Sequence, residues 1–455
     1  MTQDLDKLKE HLHRLASKAI QVAKKALEER RIQPHEEPYF KWKIRRFKYT
    51  EEGISYSQAE GQYVTSKSWD PAVFILSAEI ANTEEYRAVL ESLPKPPEGR
   101  YPTEHIDSFL TNLLKKFLEA EDFKQEVIDN LIETFVKDIE GKSTSFTAEV
   151  ELCGITLGPQ RIDIAEGICL KKPTCEDLEI KIPVYELSVR PTIGPPSPSA
   201  IMIIDMTAQK PQEVQKAVKK AVTILRLFRV GGVDFNYCRI VCDTVIRFGS
   251  LGQSPGTPWH PMQHYMLRER DIRRLRRFWK DMDKVLPEYL YWGSNSGNSI
   301  KIAYERYSEA LLNQGPIEQR IANLMMGFEA VLLRPEEQQE LSYRLSYRAA
   351  KLLSLLGFDA IDVARKIKEA YDVRSRYAHG GQLTQKKLAE INKRVGSISA
   401  LFRDTCDYLR ITLLIAIFAN KSKEEFVSDI DRALLDRKAE KDLRQFILRI
   451  KHLLR

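Results

Sequence analysis

A chain of 455 residues and 52.6 kDa has material for two to four domains, and its 43% apolar and 30% charged composition excludes a disordered, collagen-like or disulfide-scaffold protein. No apolar run approaches the ~20 residues needed to cross a bilayer, and the polar stretch Met1–Glu29 lacks the apolar centre of a secretory signal, so no membrane contact and a cytoplasmic location are expected. The net charge of +7 falls entirely within residues 301–455, residues 1–300 summing to zero, which makes the last third the natural partner of a polyanion such as RNA.

In chain order, Leu5, Leu8, Leu12, Leu15, Ile20, Val22 and Leu27 among Lys and Glu predict an amphipathic helix over 4–31, closed by Pro34. Short alternating stretches at Phe40–Ile44 and an apolar run at Ala72–Leu76 predict strands within 39–81. The segment 93–99, rich in proline, reads as a linker, and helical spacing resumes over 103–139. From 143 to 190 the apolar period drops to two, at Phe146–Leu152, Arg161–Ile164, Gly167–Leu170 and Leu178–Ile182. A break at 194–199 precedes a buried strand at Ala200–Met206, a helix over 211–229, a strand at 238–248 and a mobile loop at Gly249–His260. Six cysteines at 153, 169, 175, 238, 242 and 406 form no C-x-x-C pair and read as reduced thiols.

From about 300 the pattern is helical throughout. One stripe runs from Ile317 to Leu332 and a second from Leu341 to Leu356, stopped by Gly357. A third helix over about 359–378 is closed by Gly380-Gly381. A fourth, capped by Thr384, runs toward Asn420 with an interruption at Gly396, and a fifth covers Lys423–Leu454. The expected fold class is α+β: residues 1–140 and 141–300 are two mixed regions, the second rich in strands, and 301–455 form an all-helical bundle.

Arginine followed at five residues by histidine occurs three times: Arg30/His35, Arg100/His105 and Arg374/His379. Only the last ends a long amphipathic helix. Five helical residues rotate about 140°, so the glycine pair after His379 matters: it stops the helix and lets the histidine fold back toward the arginine. A histidine at that end also feels the negative pole of the helix dipole, which favours imidazolium and suits proton transfer near neutral pH. Arg374 and Arg376 offer planar donor forks to a phosphate. Tyr371, Ser375, Lys386 and Lys387 lie close enough in sequence to contact the same substrate. Glu329, on the apolar stripe, is expected to pair with Arg344, Arg348 or Arg374.

Tyr304–Gly381 resembles the ApeA-like branch of the HEPN superfamily, helical domains of prokaryotic conflict systems. The resemblance is carried by Arg306-Tyr307, Phe328–Leu332, the Leu-Ser-Tyr-Arg344-Leu-Ser-Tyr-Arg348 run, and Tyr371-Asp-Val-Arg374-Ser375 with His379-Gly380. Val150–Leu157 and Glu166–Leu178 look like the segment that precedes such domains. What the resemblance implies is a metal-independent, cofactor-free endoribonuclease working as a homodimer, an antiviral defence or toxin-type effector. Arg374 would stabilise charge on the scissile phosphate and His379 would transfer the proton. Residues 1–300 would then sense a phage or nucleic-acid trigger. The alternative is a non-catalytic HEPN module that holds RNA or a nucleotide as sensor or scaffold, because active members commonly carry Asn, Asp or His where this chain has Ser375.

Weaker signals carry bland readings beside functional ones. His260 and His264 are spaced as metal ligands but flank Pro261. Cys238 and Cys242 fit one buried strand face, and Glu179 with Lys181 lacks an upstream aspartate to make a nuclease centre. Trp279, Tyr291 and Trp292, beside the arginine-rich stretch 268–280, fit packing as well as base stacking.

Overall fold

Leu8, Leu12, Leu15, Ala19, Ala23 and Ala26 recur at three- and four-residue intervals, and all are buried along one face of α1 (Thr2–Glu28). That stripe is the spine of a small helical core in the computed structural model, which describes residues 2–51, 53–93, 102–120, 122–140, 144–178, 181–183, 198–208, 211–242, 251–252, 264–293, 297–313, 315–381 and 383–454. Around α1 pack α2 (Asp70–Ile80), α3 (Glu84–Ser92), α4 (Pro102–Glu119) and α5 (Gln125–Ile139), with Phe109 meeting Phe135 edge to face at 5.5 Å. The expected strand at Ala72–Leu76 is instead part of α2. Pro71 sits in its first turn, where a missing N–H costs nothing, and Ala72, Val73, Leu76 and Ile80 turn one helical face inward. The proposed linker 93–99 lies, beyond Leu93, outside the described residues.

Between α1 and α2 the chain forms a two-stranded antiparallel ribbon, β1 (His35–Thr50) with β2 (Gly53–Ser68). It is far longer than the short strands expected, about 50 Å at 3.3 Å per residue. Its register slips around Arg46, and Phe40 packs edge-on against both Trp42 and Tyr63. The ribbon tip is fastened by Tyr49, whose hydroxyl donates to the Ser199 carbonyl at 2.6 Å and accepts from the Leu157 N–H at 2.8 Å.

The period-two region becomes a six-stranded sheet in the order β10-β9-β3-β8-β6-β5, antiparallel at every pairing. Its strands are β3 (Thr144–Cys153), β5 (Arg161–Ala165), β6 (Ile168–Lys171), β8 (Ala200–Ala208), β9 (Asp234–Cys242) and β10 (Leu251–Gly252). A separate parallel pair joins β4 (Ile155–Leu157) to β11 (Tyr265–Leu267), and β7 (Lys181–Pro183) extends the ribbon alongside β1. Alternation holds along β3, where Phe146, Ala148, Val150 and Leu152 all face the core. Leu178, expected to open a strand, instead closes a short 3-10 turn over Glu176–Leu178. Helix α6 (Pro211–Phe228) covers the buried face through Val214, Val218, Ala221 and Leu225, with α7 (Glu269–Val285) beside it. Of the expected strand at 238–248 and loop at Gly249–His260, residues 243–250 and 253–260 lie outside the described residues.

The last third is helical, as expected: α8 (Ser299–Leu312), α9 (Ile317–Leu332), α10 (Leu341–Ser354), α11 (Ala360–Ala378), α12 (Gln385–Val395), α13 (Ile398–Ala419), α14 (Lys423–Leu435) and α15 (Arg437–Leu454). The expected fifth helix is two, because Asp436 interrupts it and accepts from the N–H groups of Lys438 and Ala439. In α9, Gly327 lets its neighbours close in; a Cβ there would meet Leu409 of α13 at 2.7 Å. The chain is thus α+β, with strands in its first part and helices in its last.

One apolar core runs without a break from Phe146 of the sheet to Leu454 of the bundle. Guanidinium groups line its seam. Arg226 of α6 donates to the Val233 carbonyl, Tyr304 and Ser308 and faces Asp234 at 3.4 Å. Arg410 of α13 donates to the Leu227 and Phe228 carbonyls at the end of α6, to Asp407, and to the Leu454 carbonyl. Cations suit a helix C-terminus, where unpaired carbonyls and the dipole are both negative. Among the described residues, no helix is long and apolar enough to cross a membrane.

Candidate functional site

Helix α11 starts where the Asp359 carboxylate accepts the Asp362 N–H at 2.8 Å. It is anchored by buried Val363, Ile367, Ala370 and Val373. Its end is a double turn-back. Gly381 donates to the Arg376 carbonyl at 2.9 Å and Gly380, at φ 74°, to the Tyr377 carbonyl at 3.0 Å. This is the Schellman arrangement that a glycine pair allows at low cost. His379 is the last residue before it, near-helical at φ −93° and ψ 14°, and exposed.

Because the helix runs unbroken to Ala378, Arg374 and His379 leave its axis about 140° apart. The histidine stays on its own side, and the expected fold-back is limited to the backbone. Arg374 turns inward: its Nη2 lies 3.2 Å from Glu329 Oε2 on α9, and its guanidinium stands 5.7 Å from the centre of the Tyr371 ring. With 30% of its side chain exposed, Arg374 keeps donors on the surface. Of the three arginines expected to face Glu329, this is the one that does. Burial pushes the Glu329 carboxyl above its ordinary range, partly offset by Arg374, and its Oε1 is buried without a hydrogen-bond donor.

Arg344 and Arg348 serve another acid, Glu337, just before α10. Arg348 is 3% exposed and grips Glu337 through both terminal nitrogens at 2.6 and 2.7 Å, Asp431 of α14 at 2.7 and 2.9 Å, and the Leu332 carbonyl at 2.7 Å. All five of its N–H donors are used. Arg344 adds a contact to Glu337 at 3.1 Å. Together these cations hold the Glu337 carboxyl far down, at about 2. Their expected support of the Arg374 site is therefore not direct.

Lys387 is likewise drawn inside, with Nζ at 2.6 Å from Asp372 and 3.4 Å from Glu369, while Arg394 closes on Glu369 at 2.5 Å. Lys386 is exposed, and Arg376 leans on Asp372 at 3.4 Å. Ser375 is half-buried on the side of the helix shared with His379.

Lys368, Tyr371, Ser375 and His379 follow one another at spacings of three, four and four, so they line one side of α11. At the upstream end of that line, α10 and α11 border a shallow, open groove of about 520 Å³ lined by Gln338, Glu340, Leu341, Ser342, Tyr343, Lys368 and Tyr371. Tyr343 and Tyr347 are packed ring to ring at 4.2 Å, and the Lys368 ammonium stands 5.3 and 5.2 Å from their centres. Except for Tyr371, sequence reasoning missed this surface. A signal was present, since the repeated Leu-Ser-Tyr-Arg phrase puts equivalent residues four apart on one helical face.

Other candidates have structural uses or lie outside the described residues. Trp279 is buried, Trp292 lies under Lys219 at 5.0 Å, and Arg229 with Arg274 clasp Asp271 and the end of α6. Cys238 is buried; the Cys242 side chain, His260 and Glu179 are outside the described residues. Among the described residues no group of three or more His, Cys, Asp or Glu is gathered as a metal site. No family model matches the chain, and no curated protein or solved structure matches it either.

Proposed function

We propose that the chain is an endoribonuclease of HEPN type whose cutting site is completed by a second copy, and that it acts in the cytoplasm as a defence or toxin-type effector. The observation that carries this reading is the exposed His379 at a rigid helix end, with Arg374 held nearby by Glu329 and still offering donors to solvent. The resemblance of Tyr304–Gly381 supplies the reaction class, and the charge of residues 301–455 suits the polyanion.

His379 takes the proton of a ribose 2′-hydroxyl, whose oxygen attacks the adjacent phosphorus. The 5′-oxygen leaves with the proton returned by the His379 imidazolium, and a 2′,3′-cyclic phosphate remains. Arg374 neutralises charge on the non-bridging oxygens. The ~140° divergence within one helix supports a composite site, in which His379 of one copy and Arg374 of the other meet the phosphate together. Such proton transfer needs no metal. Residues 1–300 restrain this dimer until a trigger, a phage component or nucleic acid, binds them.

RNA incubated with the purified protein in EDTA tests the site directly. The expected result is cleavage by the wild type and about a hundredfold or greater loss in His379→Ala and in Arg374→Ala; equal cleavage by all three sinks it. A second reading, an RNA- or nucleotide-holding module without chemistry, draws on the same ion pair, because Glu329 occupies part of the Arg374 fork. It predicts salt-sensitive RNA retention, lost in Arg374→Ala, with no product from any variant.

A further inference from the structure

The groove between α10 and α11 has a use that the Arg374/His379 chemistry alone does not supply. Tyr343 and Tyr347 are 53% and 40% exposed, although large aromatic side chains are normally drawn inward. They occupy successive turns of α10, and the Tyr343 ring, packed on Tyr347, lines an open recess large enough for a small organic ring system. Lys368, itself exposed, places one cation above both rings. Tyr371 lines the same recess from α11 and lies against Arg374. An aromatic platform topped by a cation is the chemistry of a base with its phosphate.

We infer that this groove seats an unpaired base of single-stranded RNA, stacked against Tyr343 and Tyr347, with the attached phosphate on Lys368 and the strand continuing along Ser375 to His379. This deepens the nuclease reading and rests on it for the direction of the strand. From Tyr371 to His379 the helix rises about 12 Å, so the seated base lies a fixed distance from the cut and the groove sets where along the strand the cut falls. Gln338 and Ser342 bring hydrogen-bonding groups to the rim, where a base edge would lie. Glu340, also at the rim and at φ 54°, disfavours a phosphate on its side and leaves the Lys368 side for the backbone. A base locked in a duplex cannot offer its face, so single strands are favoured over paired ones.

The test uses the full chain carrying His379→Ala, so that binding is read without cutting, and fluorescein-labelled oligouridylate beside a blunt RNA duplex of equal length. Adding Tyr343→Ala and Tyr347→Ala together weakens oligouridylate binding about tenfold or more and leaves duplex binding unchanged. Adding Tyr343→Phe and Tyr347→Phe preserves binding, because the ring face is what matters. The rings are 53% and 40% exposed, so thermal melting falls only modestly and the unchanged duplex binding separates a folding defect from a lost base seat. Unchanged oligouridylate affinity in the alanine variant, or equal weakening for both RNAs, overturns the inference. The nuclease reading fails separately: if the wild type binds oligouridylate through the tyrosines yet cuts no RNA, the base seat stands and the chemistry falls.

Discussion

Arg348 and Arg374 project from adjacent helices of the same bundle, and each meets a glutamate. Around Arg348 everything is closed, with five donors used, two carboxylates and one carbonyl accepting, and almost no solvent. Around Arg374 one nitrogen meets one carboxylate oxygen, the other oxygen has no donor, and nearly a third of the side chain is in water. The paired acids record the contrast: cations hold Glu337 down, whereas burial holds Glu329 up despite its single cation. The sheet supplies the limiting case. Glu151 on β3 is pushed up to about 7 by burial, with Asp177 adding repulsion. A saturated pair builds structure, and an unsaturated one keeps its cation available to a ligand.

The sharpest way to break this comparison is Arg348→Ala. Two carboxylates lose their main counter-cation inside the fold, and stability should drop by about 3–5 kcal/mol in denaturant unfolding. A loss below about 1 kcal/mol would place Arg348 with ordinary surface pairs. Next comes Arg374→Ala, which should leave the unfolding free energy within about 1 kcal/mol of wild type while RNA cleavage falls about a hundredfold. Acid titration separates the two environments again. The Glu337 carboxyl is lowered in the fold, so its stabilisation is present above about 4.5 and is lost as pH falls toward 2.

Glu151 has the opposite sign. Its carboxyl is raised in the fold, so its contribution is full below about 4.5 and disappears as pH rises through 7. Glu151→Gln should therefore gain about 3 kcal/mol over wild type at pH 8 and nothing at pH 4; identical pH–stability curves would refute that origin. The smallest effect belongs to the helix end. Gly380→Ala forces a Cβ into the left-handed region and should cost about 1 kcal/mol. If the position of His379 matters, cleavage falls more than the melting curve suggests.

Much of this architecture is legible in the residues, and the misses have physical causes. The bundle helices are read because each carries a long stripe at helical period, β3 because alternation meets a buried face, and β8 because its apolar run Ala200–Ile204 is buried almost throughout. Ala72–Leu76 misleads because a five-residue apolar run fits a buried strand and a buried helix equally, and Pro71 is the deciding mark. The Asp436 break is hidden by an amphipathic pattern that continues on both sides of it. At the site, Gly380-Gly381 announces the helix end correctly, and one of three expected partners of Glu329 is found. The fate of Lys387 and Arg348 is not legible, because which acid captures a cation depends on helices that meet only in three dimensions. The tyrosine groove is written in a four-residue repetition whose meaning appears only once α11 lies across it.

Vectorial synthesis gives the Arg410 contacts an order in time. The α6 carbonyls it grips are made 183 and 182 residues before it, and the Leu454 carbonyl 44 residues after it. Until the ribosome has extruded α15, this buried guanidinium lacks one acceptor and the seam between sheet and bundle is incomplete. The seam therefore closes late in synthesis, after both of the layers that it joins have been made.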